Sequence, residues 1–168
     1  VGQGFLENYK LVREQLVEIC ETTDKRICIY GHSAGGAAAY LHADRLNRLG
    51  IAWHEVITFE SPRVFSRPVS REFMDAAGSR TCLRVTHGAD FVPHVPIGIR
   101  FSHVGTEVWV PRGAQKRPVL NPSLLRRAWQ TLRAIKFVSS GYDHTTEVID
   151  TRITLEKCMI ENKEKCIE

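Results

Sequence analysis

Apolar residues along this chain of 168 residues recur at two spacings, one typical of helices and one typical of strands. Over residues 4–21 the spacing is helical and predicts one apolar face. That face consists of Leu6, Tyr9, Val12, Leu16 and Ile19. Helical spacing returns over 34–49, where Gly50 is a normal helix stop, and in a short helix through 73–75 that ends near Gly78. Short apolar runs at 26–30, 55–59, 82–86 and 104–110 predict four strands.

Strands that alternate with helices predict an α/β fold, in which helices cover both faces of a mostly parallel sheet. The length predicts a single domain over residues 1–168. After the fourth strand come a loop rich in Pro, Arg and Gly at 111–122, a cationic helix at about 123–138, and a charged tail at 151–168. Because the chain begins at Val1 and helical spacing starts almost at once, we expect a fragment or a processed product.

The motif Gly31-His32-Ser33-Ala34-Gly35 lies between the first predicted strand and the helix that follows it. A serine at a sharp turn between a strand and a helix is typical of a nucleophile elbow. We expect the glycines two residues on either side of Ser33 to remove Cβ atoms that would clash where strand and helix approach. The alternative is a glycine-rich connection with an incidental serine.

A serine hydroxyl is a weak nucleophile at neutral pH, so Ser33 needs a base and an acid that orients the base. In the order Ser, acid, His, the favoured acid is Asp90, because it follows the third strand in the turn His87-Gly88-Ala89-Asp90. The alternative for Asp90 is a turn residue whose carboxylate accepts hydrogen bonds from nearby backbone N–H groups.

The base must then come from a histidine beyond Asp90. His144 is favoured because it lies in a loop after the last predicted helix, although a surface histidine is the alternative there. His103 is next, but it begins a strand and is expected to make a structural hydrogen bond. His94 lies in an extended segment between two Val-Pro pairs. Three residues are expected to contact the substrate, namely His32, His94 and Val95.

The net charge of +4 comes from one region of the chain. Residues 111–136 hold seven basic residues and no Asp or Glu, whereas acidic residues outnumber basic ones elsewhere. A general nucleic-acid-binding protein would carry a basic stripe across its fold, so that class is not favoured. The predicted helix in this region has an apolar face formed by Leu125, Ala128, Trp129, Leu132 and Ile135. That face either packs on the sheet, which is favoured, or rests on an anionic lipid surface.

The five cysteines form no C-x-x-C pair, and no metal-ligand spacing occurs, so a zinc or redox site has little support. We expect Cys28 and Cys82 to be buried thiols, and Cys158 and Cys166 to be able to form a disulfide if the protein is secreted. No apolar stretch approaches the roughly 18 residues that cross a bilayer. No targeting segment is visible, which leaves both a secreted and a cytoplasmic location open.

Several segments, taken in order, resemble motifs of the class 3 lipases, the fungal-type triacylglycerol lipases of the α/β-hydrolase superfamily. The matching segments are Gly4-Phe5-Leu6, residues 31–36, residues 58–64, residues 84–96, residues 102–109 and Asp143-His144. The resemblance covers about residues 4–150. Ala34 stands where the family usually has Leu, and Glu60 stands where it usually has Gly.

This resemblance implies a triad of Ser33, Asp90 and His144 that cleaves acylglycerol esters through an acyl-enzyme, without a cofactor or metal. The N–H of Ala34 is expected to be one oxyanion-hole donor. In the family a second donor and a lid precede the helix that begins with G-F-L, and this chain contains neither segment. Losing one donor costs roughly 3–4 kcal/mol, so residues 1–168 alone are expected to be weakly active or inactive.

Two other readings remain open from the sequence. One is a phospholipase or an esterase for small soluble esters, because lid and pocket residues decide that choice. The other is a non-catalytic lipase-like fragment that binds lipid or protein. The retained Ser33, Asp90 and His144 argue against the second, and the absence of the upstream segments argues for it.

Overall fold

The computed structural model describes residues 3–88, 90–97, 99–111, 117–123, 125–126, 128–129 and 132. The helices within these residues are α1 (Gln3–Lys10), α2 (Arg13–Thr22), α3 (Ala34–Leu49) and α4 (Arg67–Ala77), and a 3₁₀ turn spans Val92–His94. The strands are β1 (Cys28–His32), β2 (Glu55–Phe59), β3 (Phe65–Ser66), β4 (Thr81–His87), β5 (Phe101–Ser102), β6 (Thr106–Val110) and β7 (Val119–Leu120).

The main sheet has the strand order β1-β2-β4-β6-β7. The pairs β1–β2, β2–β4 and β4–β6 are parallel, and β7 runs antiparallel to β6. Strands β3 and β5 form a separate antiparallel ribbon. The predicted α/β class with a mostly parallel sheet is confirmed. Because parallel strands end at the same edge, the residues that follow β1, β2 and β4 come together there.

The core is built where α3 and α4 pack beside the sheet. Phe73 of α4 is buried and contacts three other aromatic rings, with centroids 5.4 Å from Phe65, 6.0 Å from Tyr40 and 6.3 Å from Trp53. Burying one such side chain contributes about 1.5–3 kcal/mol. This cluster fixes the position of α3, the helix that begins at the candidate nucleophile.

The single helix predicted over 4–21 is wrong, because the chain turns between α1 and α2. Leu11 N–H donates to Asn8 O and Val12 N–H donates to Tyr9 O. These bonds join residues three apart in the chain, whereas α-helical bonds join residues four apart. The turn changes the face that α2 presents to the core. Val17 is therefore the buried residue of α2, whereas the predicted Val12, Leu16 and Ile19 are exposed.

Other details differ from the predictions. Cys28 is exposed because it begins β1, the outermost strand of the described sheet, whereas Cys82 is buried as expected. Strand β7 was not predicted within the loop at 111–122. The predicted tail at 151–168, with Cys158 and Cys166, lies outside the described residues. Across those residues, no helix has the length and apolar character needed to span a membrane.

The cationic helix is described only at 125–126, 128–129 and 132, and those residues are helical. Leu125 is 85% exposed, Leu132 is 66% exposed and Trp129 is 50% exposed. The guanidinium carbon of Arg126 lies 5.3 Å from the ring centroid of Trp109 on β6. The described part of this helix therefore does not bury its predicted apolar face against the sheet.

Candidate active site

Ser33 lies at the tip of the turn between β1 and α3. Its φ of 53° and ψ of −123° place it in a left-handed region that non-glycine residues rarely adopt. The turn is held by Ser33 N–H donating to Phe59 O at 2.9 Å and by Gly36 N–H donating to Ser33 O at 2.9 Å. This is the strained backbone that the motif predicts for a nucleophile elbow.

Close packing around the elbow requires glycine at two positions. A Cβ at Gly31 would lie 2.2 Å from Gly35 O, and a Cβ at Gly36 would lie 2.7 Å from the Cβ of Ser61. A Cβ at Gly35 would meet nothing within 4 Å. The prediction that Gly35 prevents a clash is therefore wrong, because a Cβ there would lie in open space, and Gly36 has that role.

Asp90 follows β4 and is only 4% exposed. Its Oδ1 accepts a hydrogen bond from Val92 N–H at 2.9 Å, and its own N–H donates to His87 O at 3.2 Å. The carboxylate thus has the turn-capping role that was considered for it, and that role also fixes its direction. Ser33 and Asp90 follow strands two positions apart in the sheet, a backbone separation of about 10 Å that an imidazole between them would span.

Glu60 lies between these two residues, immediately after β2. It is 2% exposed, its N–H donates to Val85 O at 2.9 Å, and its Oε1 accepts a hydrogen bond from His87 N–H. Burial, followed by the neighbouring charge of Asp90, raises the pKa of Glu60 well above its usual 4.5. A second carboxyl group therefore stands beside the candidate acid.

A cavity of about 80 Å³ adjoins Asp90 and is lined by His87, His94 and His103 among others. A ring nitrogen of His103 donates to Pro93 O at 2.6 Å, the structural hydrogen bond expected of it. Burial, followed by the charge of Arg84, lowers the pKa of His103 well below 6.5. Burial, followed by the charge of Arg63, also lowers the pKa of His94. Both rings are therefore neutral at pH 7.

A buried ion pair forms part of the cavity wall. Arg84 Nη2 lies 3.1 Å from Glu107 Oε2, and the hydroxyl of Thr86 donates to Glu107 Oε1 at 2.9 Å. Arg63 holds the other wall, because its Nη1 donates to His94 O at 2.8 Å and to Pro96 O at 3.0 Å. These contacts fix the chain that leads away from Asp90.

The remaining predicted site residues have different outcomes. Ala34 is the first residue of α3, a helix end whose N–H groups suit a developing negative charge. His32 ends β1 next to Ser33 and is exposed, and Val95 follows the 3₁₀ turn. His94 lies within that turn, so the extended segment predicted for it is wrong, because His94 N–H closes back onto Phe91 O. His144 lies outside the described residues.

Sequence reasoning missed the surroundings of Asp90. Glu60 was noted only as a departure from a family motif, and the pair of Arg84 and Glu107 was not considered. A charged residue within an otherwise apolar strand was the available signal for Arg84. In the part of the chain that the structure describes, no three His, Cys, Asp or Glu side chains converge as a metal site.

A strained serine between a parallel strand and a helix, with a buried aspartate two strands away, defines an α/β-hydrolase arrangement. The family model for "Lipase (class 3)" matches residues 1–99, and the chain belongs to the class 3 lipase family. The family resemblance predicted from the sequence motifs is thereby confirmed.

Individual relatives agree with that assignment. The secreted mono- and diacylglycerol lipase A of Penicillium cyclopium is 29% identical over 113 residues, which cover 64% of this chain and 36% of that protein. A lipase of Rhizopus niveus is 33% identical over 126 residues, which cover 67% of this chain and 31% of that protein. The crystal structure of a lipase from Rhizopus microsporus var. chinensis superimposes with a TM-score of 0.64 at 25% identity, over 71% of this chain and 44% of that one. The chain thus spans less than half the length of each of these relatives.

Proposed function

We propose that this protein is a serine carboxylester hydrolase that cleaves acyl esters of glycerolipids. The observation that carries the proposal is the strained Ser33 at the start of α3, in a chain of the class 3 lipase family. The substrate class follows from relatives whose names describe mono- and diacylglycerol lipases. Those relatives are secreted, and we propose the same for this protein.

In the proposed reaction Ser33 Oγ attacks the ester carbonyl while His144 accepts its proton. Asp90 orients the imidazole and stabilises its positive charge. The N–H of Ala34 donates to the oxyanion, His144 returns the proton to the leaving alcohol, and water then hydrolyses the acyl-enzyme through the same groups. His32, His94 and Val95 are proposed to contact the substrate. No step in this scheme needs a metal or a cofactor.

We also propose that the described part of the cationic helix contacts the lipid interface. Its Leu125 and Leu132 are exposed, and exposed apolar side chains beside basic ones suit an anionic lipid surface. An enzyme acting on insoluble esters needs such a contact, because its substrate is presented at an interface.

The proposed nucleophile is tested by labelling the folded chain with a fluorophosphonate and measuring intact mass. We expect slow formation of one adduct on the unchanged chain, since one oxyanion donor is expected to be lacking, and none on Ser33→Ala, because only an activated serine attacks the phosphorus. Ser79→Ala, which changes an exposed serine in the turn after α4, is the matched control and should label like the parent. An adduct retained by Ser33→Ala would assign the reactivity elsewhere.

Substrate choice is tested by giving three esters to the chain that reacts with fluorophosphonate, namely a diacylglycerol, a phosphatidylcholine and a short soluble ester. Fatty-acid release from the diacylglycerol above the other two supports the proposal. Preference for phosphatidylcholine or for the soluble ester would favour the phospholipase or esterase reading. A folded chain that neither labels nor hydrolyses, even with the family's upstream segments restored, would favour a non-catalytic fragment.

A further inference from the structure

Glu60 occupies a backbone position at which a side chain is costly. Its φ of 49° lies in the left-handed region, where glycine is favoured and other residues are strained. Phe59, the residue before it, accepts the hydrogen bond from the elbow N–H of Ser33. A long acidic side chain is therefore held in a strained conformation at the end of β2, the strand between those that Ser33 and Asp90 follow.

The Glu60 side chain points into the protein. Oε1 accepts the backbone N–H of His87, while the fully buried Oε2 receives no hydrogen bond from any group in the described part of the chain. A negative charge on Oε2 would thus be left unsolvated, which is unfavourable by several kcal/mol. A proton on Oε2 removes that charge and turns the atom into a donor.

Asp90 is the acceptor that such a proton would face. Glu60 Oε1 and the N–H of Asp90 both bond the backbone of His87, which places the two residues side by side, and the charge of Asp90 raises the pKa of Glu60 beyond the effect of burial. Among the described residues, the other charged or titratable groups near Glu60 are Arg84 and His87 on β4, and His32 at the adjoining end of β1. Arg84 is paired with Glu107, so its positive charge is not available to Glu60 alone.

We propose that Glu60 is a positioning residue of the active site, whose protonated carboxyl donates a hydrogen bond to Asp90 and fixes the orientation of that carboxylate. The inference rests on the proposed role of Asp90 as the triad acid. Asp90 then receives one hydrogen bond from Val92 N–H and one from Glu60. A carboxylate stabilised by an extra donor is a weaker base, so it raises the pKa of the imidazole less than an unassisted aspartate would.

The protonation state is tested without any measurement of activity. In the full chain with ¹³C-labelled glutamate and aspartate carboxyls, we expect one glutamate signal to stay protonated well above pH 4.5. That signal should vanish in Glu60→Gln and persist in Glu72→Gln, which changes an exposed glutamate of α4. In Asp90→Asn its midpoint should move to lower pH, because the neighbouring negative charge is gone.

The positioning role is tested by the acidic limb of the kcat/KM profile. Glu60→Gln, a neutral donor of similar shape, should keep the limb where it is, whereas Glu60→Gly should move it upward by roughly half a pH unit or more. If Glu60 were ionised, Glu60→Gln would instead shift the acidic limb to lower pH, because the substitution would then remove a negative charge near the base.

The results of these experiments separate the inference about Glu60 from the proposed function. A Glu60 signal that titrates at about pH 4.5, or one that ignores Asp90→Asn, overturns the inference. An unshifted limb in Glu60→Gly also overturns the positioning role. A folded chain that shows the coupled Glu60 titration but fails to label with fluorophosphonate, even with the family's upstream segments restored, contradicts the proposed function alone and leaves the shared proton established.

Discussion

At the scale of single residues, backbone strain is concentrated at the proposed site. Ser33 and Glu60 both have positive φ, and each follows a strand of the parallel sheet. Such conformations cost about 1–3 kcal/mol each and persist only where the surroundings over-determine them. Here the surroundings are the hydrogen bonds from Ser33 to Phe59 and from Glu60 to Val85. The sheet therefore holds two costly conformations at adjacent strand ends.

The elbow glycines give a prediction with an internal control. Gly31→Ala should lower the free energy of unfolding by about 1–3 kcal/mol, because the new Cβ would lie 2.2 Å from Gly35 O. Gly35→Ala should raise it by roughly 0.5–1 kcal/mol, since the site is open and lies within α3. Urea unfolding of both variants checks this. Equal effects of the two substitutions would contradict the described packing of the elbow.

At the scale of elements, the cationic helix leads to a second prediction. The double variant Leu125→Ser and Leu132→Ser should weaken binding to anionic vesicles at least several-fold, because both side chains are exposed and would insert between lipids. Co-sedimentation with vesicles measures this. Leu11→Ser removes an equally exposed leucine from the turn between α1 and α2 and should leave binding unchanged. Unchanged binding by the double variant would remove the proposed lipid contact.

The same scale shows which features the sequence could predict. Strand β2 has the predicted bounds, and α3 ends at Gly50 as predicted, because an apolar run and a glycine stop are local signals. The buried face of α2 was mispredicted, because the two bonds of the turn at 11–12 reset the helical phase without an apolar or glycine signal. The pairing of Glu60 with Asp90 depends on which strands become neighbours, so no local pattern contains it.

At the scale of the whole molecule, buried histidines link stability to pH. His103 is neutral in the folded state because burial lowers its pKa well below 6.5, whereas the unfolded chain gains a proton below about that pH. A group with a lowered folded pKa contributes stability above its unfolded pKa and loses it as pH falls further. The folded protein should therefore be destabilised progressively below about pH 6.5.

His103→Gln tests this dependence. As pH falls, the free energy of unfolding of the parent should fall relative to that of His103→Gln, by at most about 1.4 kcal/mol per pH unit. Urea unfolding at several pH values measures this difference, between about pH 5 and 8 where histidines titrate. His54→Gln, at an exposed position, controls for the introduction of glutamine. A difference that stays constant with pH would contradict the buried neutral ring.

Ser33, Glu60 and Asp90 follow three parallel strands, and parallel neighbours are joined only through long crossovers. None of the three can meet another by closing a short loop, so their meeting depends on contacts between distant parts of the chain. A partly folded chain in which these strands had not yet paired would have neither the strained serine nor a carboxyl pair to share a proton. The proposed capacity to attack an ester would thus require the completed sheet.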